Sequence, residues 1–247
     1  MMNLYTVKGE IINSFEEFVK YYENIYYFNN SYIAENIIDN ILKNGIQTKK
    51  DVYNVLAWKL DGINMNKTNS SGDIHYKGEN WIFSKSLIQG NYRGGKIDLT
   101  DYLEFLTDDK LLEIKNAAAD NGAKTLDLLN TTTKGIGSVC LITLLYFFNQ
   151  GKKYPIYDKY AHIALKVILS DIPILIGSVI IDKEISKPFS DKKTKDFGKV
   201  IMQGKYKEFM KCIDKIKENT GVDYYTSRSI DRALWAYGHL FREPNIE

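Results

Sequence analysis

The chain contains few residues that break helices, cross-link segments or bind metals. It has only 4 prolines, 2 cysteines and 3 histidines in 247 residues. Cys140 and Cys212 lack CxxC spacing and lie in apolar helical patterns, which predicts buried, reduced thiols of the kind usual in the cytosol. The histidines are too scattered along the chain to indicate a metal site. We therefore predict neither a disulfide framework nor a metal centre.

Strong charge and long apolar runs are also absent. The net charge of +2 excludes a histone-like binder, although one face of the protein can still be positive. The longest apolar run, residues 139–148, is too short to span a bilayer, and the first residues lack the pattern of a signal peptide. The sequence shows no P-loop, no zinc-binding HExxH helix and no GxSxG nucleophile turn. These absences predict a cytoplasmic protein that does not contact a membrane.

The scarcity of proline fits a recurrent spacing of apolar residues near 3.6, which predicts an all-α fold. Ser14 followed by Glu17 is a capping-box pattern, and Thr48 is placed to cap another helix. Helix 138–149 is apolar nearly all round, which favours a central buried position. The predicted helices cover 15–28, 32–43, 49–60, 99–106, 108–119, 123–130, 138–149, 158–169 and 227–240.

Residues 61–97 interrupt the helical pattern. They are rich in Asn, Ser and Gly, and we interpret them as a long loop with room for a short β hairpin around Trp81 to Phe83. The loop is the best candidate for a boundary between an N-terminal region, 1–98, and a C-terminal region, 99–247, that share one core. Residues 182–218 carry eleven Lys against seven Asp or Glu, which indicates either a solvated face or a face that contacts DNA.

Two features of the central segment carry chemical information. Gly135 and Gly137 flank Ile136 just before helix 138–149, and backbone N–H groups at such a corner suit a phosphate. The same glycines also fit a plain left-handed turn between two helices. About twenty residues later, Asp158 begins another amphipathic helix. It can be a simple helix cap, or a positioned carboxylate that acts on the sugar of a nucleotide, and the two roles are compatible.

This order of hairpin, apolar helix and acid resembles the helix-hairpin-helix DNA glycosylases. Residues 133–137 (TKGIG) correspond to the hairpin of that family, and 155–158 (PIYD) to its Pro-Val-Asp segment. WKL at 58–60 and RSIDRALW at 228–235 are similar to pieces of the bacterial 8-oxoguanine glycosylase fold. The resemblance implies a helical bundle of that type and a monomer that binds double-stranded DNA.

The resemblance also implies a role for each matching residue. Asp158 is the expected catalytic acid, and Lys134, Gly135, Gly137 and Val139 form the phosphate-binding segment. Bifunctional members carry a lysine nucleophile at the position of Val139, so a Schiff base with the sugar cannot form from that position. The implied activity is therefore monofunctional hydrolysis of a damaged or modified base. No cofactor is implied beyond a monovalent cation at the hairpin carbonyls.

Four further side chains are candidates for contacts with DNA. Trp235, Arg228 and Asp231 lie on the closing helix, which contributes to the base pocket in similar enzymes, although a packed terminal helix with surface charges is the simpler explanation for each of them. His162 follows Asp158 by one helical turn and is a candidate DNA contact, or simply a core or surface residue. Two other functions remain open: a non-catalytic DNA-binding protein, and a helical interaction protein with no role on DNA. The sequence does not specify the substrate base.

Overall fold

The computed structural model describes residues 2–29, 32–59, 63–68, 74–76, 82–84, 96–98, 103–133, 136–178, 196–223 and 228–241. These residues are mostly helical, which confirms the predicted class. The helices are α1 Phe15–Asn29, α2 Tyr32–Asn44, α3 Lys49–Lys59, α4 Asp108–Asp120, α5 Gly122–Thr132, α6 Ser138–Phe148, α7 Lys159–Ile168, α8 Phe197–Gln203, α9 Lys205–Thr220 and α10 Arg228–His239.

Several helices begin where the sequence predicts, because local hydrogen bonds define their first turns. The Ser14 hydroxyl accepts from the backbone N–H of Glu17 at 3.1 Å. Thr48 and Asp51 cap each other's backbone N–H groups, at 3.3 Å to the Thr48 hydroxyl and 2.8 Å to the Asp51 carboxylate. Such caps depend only on neighbours in sequence, so α1 and α3 were predictable from short motifs.

The region predicted as a long loop contains short strands. β1 (Ile63–Thr68) pairs with β2 (Ile74–Tyr76), and β3 (Ile82–Ser84) pairs with β4 (Lys96–Asp98), both antiparallel. The predicted hairpin around Trp81 to Phe83 therefore corresponds to β3, and the rest of the loop interpretation was too simple. β-Branched and aromatic residues favour these strands, but runs of three residues are too short for a clear alternating pattern.

The structure differs from the sequence predictions in two further segments, 99–106 and 182–218. The predicted helix 99–106 is replaced by a turn at residues 103–105, and residues 99–102 lie outside the described part. The lysine-rich segment contains α8 and α9, which the sequence analysis did not predict. In α9 the apolar side chains Phe209, Ile213 and Ile216 are buried while lysines face solvent, which is the pattern of an amphipathic helix.

The chain divides into two compact units. One comprises Met1–Asn30, Tyr157–Pro188 and Lys207–Glu247, and the other comprises Ser31–Ile156 and Phe189–Tyr206. We call them the first unit and the second unit, in that order. This division does not follow the boundary at residues 98 and 99, because the chain enters each unit more than once and no linker composition marks the crossings.

The first unit is built around α10, which packs against both α1 and α7. Its core holds Phe18, Tyr22 and Tyr237, whose ring centroids lie 4.8–5.0 Å apart. The Tyr22 hydroxyl donates to the carbonyl of Tyr5 at 2.6 Å. Burial raises the pKa of both Tyr22 and Tyr237 above the usual tyrosine value, because the phenolate form would lose its hydration.

The second unit surrounds α6, whose side chains are buried on nearly all sides, as its sequence predicts. Its buried polar groups are paired with specific partners. The Trp58 indole N–H donates to the carboxylate of Glu35 at 2.7 Å, and Glu35 is 0% exposed. Gly198 approaches Ala123 so closely that a Cβ at position 198 would lie 1.9 Å from the Ala123 carbonyl oxygen. The buried carboxylate of Glu35 and the close approach at Gly198 are therefore two local constraints on the packing of this unit.

Candidate functional site

Asp158 is the N-cap of α7. Its backbone is extended, with φ −138° and ψ 143°, and one carboxylate oxygen accepts from the backbone N–H of Tyr160 at 2.8 Å. The residue is half-buried, and this hydrogen bond holds its carboxylate at the first turn of α7.

His162 is buried, whereas Asp158 is only half-buried. It is 1% exposed, and its Nδ1 atom lies 3.4 Å from the hydroxyl of Tyr157, which is also buried. The rings of Tyr157 and His162 both contact the ring of Phe209 in α9. A histidine at this depth could contact DNA only if α7 moved, so the predicted contact would require a rearrangement. The spacing from Asp158 did not reveal this, because four residues span one helical turn whether the face is exposed or buried.

The glycine corner is described only in part. Lys134 and Gly135 lie outside the described residues, whereas Ile136 is buried and Gly137 is the N-cap of α6. Gly137 has φ −65° and ψ 151°, a conformation that any residue can adopt. Val139 is half-buried in the first turn of α6. The corner belongs to the second unit, whereas Asp158 belongs to the first unit.

Arg228 and Asp231 form an ion pair with each other in the first turn of α10. Both side chains are buried, so each charge is partly neutralised by the other. As contacts for a base they would first have to exchange this ion pair, and leaving either charge buried alone costs several kcal/mol. The pair therefore links two side chains in the first turn of the helix that carries Trp235.

Trp235 belongs to a group of rings that we call the aromatic stack, formed with Tyr26, Tyr160 and His239. His239 lies between two of them, with centroid distances of 3.5 Å to Tyr160 and 3.8 Å to Trp235. Tyr26 contacts the edge of Trp235 at 5.4 Å. The rings of Tyr160, Trp235 and His239 are half-buried. Asp158 and the stack are linked through Tyr160, whose N–H binds the carboxylate and whose ring belongs to the stack.

Trp235 was predicted as a site residue from the sequence, and the other three rings were not. A signal was available, because Trp235 and His239 are four residues apart on one helix and must share a face. Their contact with Tyr160 depends on Gly238, where a Cβ would lie 2.0 Å from the Tyr160 carbonyl oxygen. The side chain of Lys159 also covers Tyr160, with its ammonium 4.7 Å from the ring centroid. The result is an aromatic surface with a cation beside it.

Other kinds of site find no support within the described residues. No group of three or more His, Cys, Asp or Glu side chains in the described ranges could hold a metal ion. No helix in the part of the chain that is described is long and apolar enough to cross a membrane. Burial raises the pKa of the Cys212 thiol, which lowers its thiolate fraction and its reactivity.

Comparison with known proteins gives no independent assignment. No protein-family model matches the chain, and no curated protein or solved structure matches it either.

Proposed function

We propose that the protein is a monofunctional DNA glycosylase of the helix-hairpin-helix type, which hydrolyses the N-glycosidic bond of a damaged or modified base. The observation that carries the proposal is the position of Asp158. Its carboxylate is fixed at the start of α7, belongs to a half-buried residue, and adjoins an aromatic stack through Tyr160. A carboxylate beside aromatic rings is what removal of a flipped base requires.

In this proposal Asp158 stabilises the positive charge that develops on the sugar as the base departs, and it orients the attacking water. The half-buried rings of Tyr160, Trp235 and His239 form the aromatic surface beside which an extruded base is held. Lys134, Gly135 and Gly137 bind a backbone phosphate through a side-chain cation and main-chain N–H groups. Hairpin carbonyls can bind a monovalent cation.

Val139 determines what the enzyme does after base removal. An aliphatic side chain at this position offers no amine to attack the sugar, so the proposed product is an intact abasic strand. Val139 lies half-buried in the first turn of α6. A Val139→Lys variant is therefore expected to gain a borohydride-trappable adduct with abasic DNA.

The central test uses Asp158→Asn on duplexes that carry different damaged or modified bases, followed by alkali to cleave abasic sites. Asparagine caps helices as well as aspartate, so the fold is preserved while the negative charge is removed. We expect base release by the wild type, loss of release in the variant, and unchanged affinity for DNA. Asp171→Asn is the matched control, because Asp171 is an exposed acid of the same unit beyond the other end of α7.

A non-catalytic DNA-binding protein is the second candidate, and the helix-capping role of Asp158 supports it. The Asp158 carboxylate already has a structural role at Tyr160, which accounts for the residue without catalysis. This candidate predicts binding to duplex DNA that weakens steeply with salt and no release from any base. Binding that does not depend on salt would instead indicate a helical interaction protein with no role on DNA.

A further inference from the structure

A buried contact between Tyr157 and His162 spans the first turn of α7, with Asp158 between them in sequence. Tyr157 is the residue before the N-cap, and His162 is the fourth residue of the helix. In many helices these two positions hold apolar side chains whose contact fixes the angle at which the chain enters the helix. Here the pair is polar as well as aromatic, with 3.4 Å between the Tyr157 hydroxyl and His162 Nδ1. We call this contact the staple.

Phe209 of α9 packs against both rings of the staple. Its ring centroid lies 5.1 Å from that of Tyr157 and 5.5 Å from that of His162, and the two staple rings are 5.8 Å apart. All three side chains are buried, so none can turn without displacing the others. The backbone on both sides of Asp158 is therefore held by tertiary packing, in addition to its own cap to Tyr160.

We infer that His162 is a positioning residue that acts through Tyr157 to fix the direction of the Asp158 carboxylate. A carboxylate that stabilises a developing charge has to be held within a fraction of an ångström, and an N-cap on a frayed first turn is not held so well. The staple removes that freedom. The catalytic consequence rests on the proposed function, whereas the positioning itself concerns only the start of α7. This role also explains why His162 is buried.

Two variants test the inference. His162→Phe keeps a ring of similar size and removes the ring nitrogens, and Tyr157→Phe removes the hydroxyl alone. In protein without DNA, we expect the amide hydrogen of Tyr160 to exchange about tenfold faster in each variant, because the first turn opens more often. With substrate duplex, we expect base release to slow about tenfold, with KM and DNA affinity unchanged.

Tyr22→Phe is the matched control. It makes the same substitution at another buried tyrosine of the first unit, whose hydroxyl donates to the carbonyl of Tyr5, outside α7. We expect it to lower the melting temperature without changing exchange at Tyr160. If all three variants change Tyr160 exchange in proportion to their melting temperatures, the staple contributes only general stability and the inference is overturned.

The two measurements separate this inference from the proposed function. If the wild type releases no base, the enzyme assignment fails, and faster exchange at Tyr160 still supports the staple. If the wild type releases base and both variants match its rate, the enzyme assignment survives and the positioning role of His162 is overturned. Unchanged exchange in both variants also overturns it. If His162→Phe does not fold, Tyr157→Phe alone carries the test.

Discussion

Replacing Gly238 by alanine tests whether the close crossing of α10 and α7 positions the candidate site. A Cβ at position 238 would lie 2.0 Å from the carbonyl oxygen of Tyr160, 2.5 Å from its carbonyl carbon and 2.9 Å from its Cα. These are backbone atoms of the first turn that Asp158 caps. They cannot turn aside as a flexible side chain would, so one helix has to move relative to the other.

The size of the effect follows from these distances. Raising the contact from 2.0 Å to the 3.4 Å of an ordinary contact requires a displacement of about 1.4 Å. Overpacking of this kind costs about 1–3 kcal/mol, and the displacement places Gly238→Ala at the upper end of that range. Alanine recovers about 1 kcal/mol because it is the better helix former. We therefore expect a net loss near 2 kcal/mol, or roughly 4–8 °C in melting temperature for a chain of this size.

Thermal unfolding and amide exchange at Tyr160 measure the two consequences, lower stability and a loosened first turn. Gly9→Ala is the control, because Gly9 has φ +83° and nothing within 4 Å of its Cβ position. That variant adds backbone strain of about 1 kcal/mol and should leave Tyr160 exchange unchanged. A Gly238→Ala protein as stable as the wild type, with unchanged exchange at Tyr160, would refute the packing argument.

Three further predictions use other contacts. Asp158→Ala should cost about 1 kcal/mol of unfolding free energy and Asp158→Asn less than half of that, because only alanine lacks a capping oxygen; thermal unfolding of both checks this. Trp58→Phe removes the donor to buried Glu35 and should cost about 1.5–3 kcal/mol in urea unfolding, with part of the loss recovered by adding Glu35→Gln. Because burial raises the pKa of Tyr22 and Tyr237 above 10.0, the folded protein keeps protons that the unfolded chain loses. Stability should therefore be unaffected by these groups below about pH 10 and should fall above it, less steeply in Tyr22→Phe, and urea midpoints between about pH 9 and 11 test this.

Much of the helical structure was predictable because it depends on neighbours in sequence. The caps at Ser14 and Thr48 place the starts of α1 and α3, and the cap at Asp158 places the start of α7. The uniformly apolar sequence of α6 was enough to predict its burial. The amphipathic pattern of α9 is present in the sequence, but its many lysines lower the average hydropathy of the segment. The segment therefore resembles a charged surface region more than a helix with one apolar face.

The candidate site was only partly predictable. Asp158 and Trp235 were selected from the sequence, and both take part in the arrangement beside Tyr160. Arg228 was selected as a pocket residue, but the structure places it in a buried ion pair with Asp231. Sequence spacing shows which residues share a helical face, and it does not show what that face packs against.

The sequence alone determined that this is a mostly helical chain, where several helices begin, and which acid stands at the start of α7. These features depend on hydrogen bonds and spacings within a few residues. Only the tertiary structure decided that His162 faces Phe209 in the interior and that His239 stacks between Tyr160 and Trp235. The physical reason is that both contacts join helices far apart in the chain, and one of them depends on the missing side chain at Gly238.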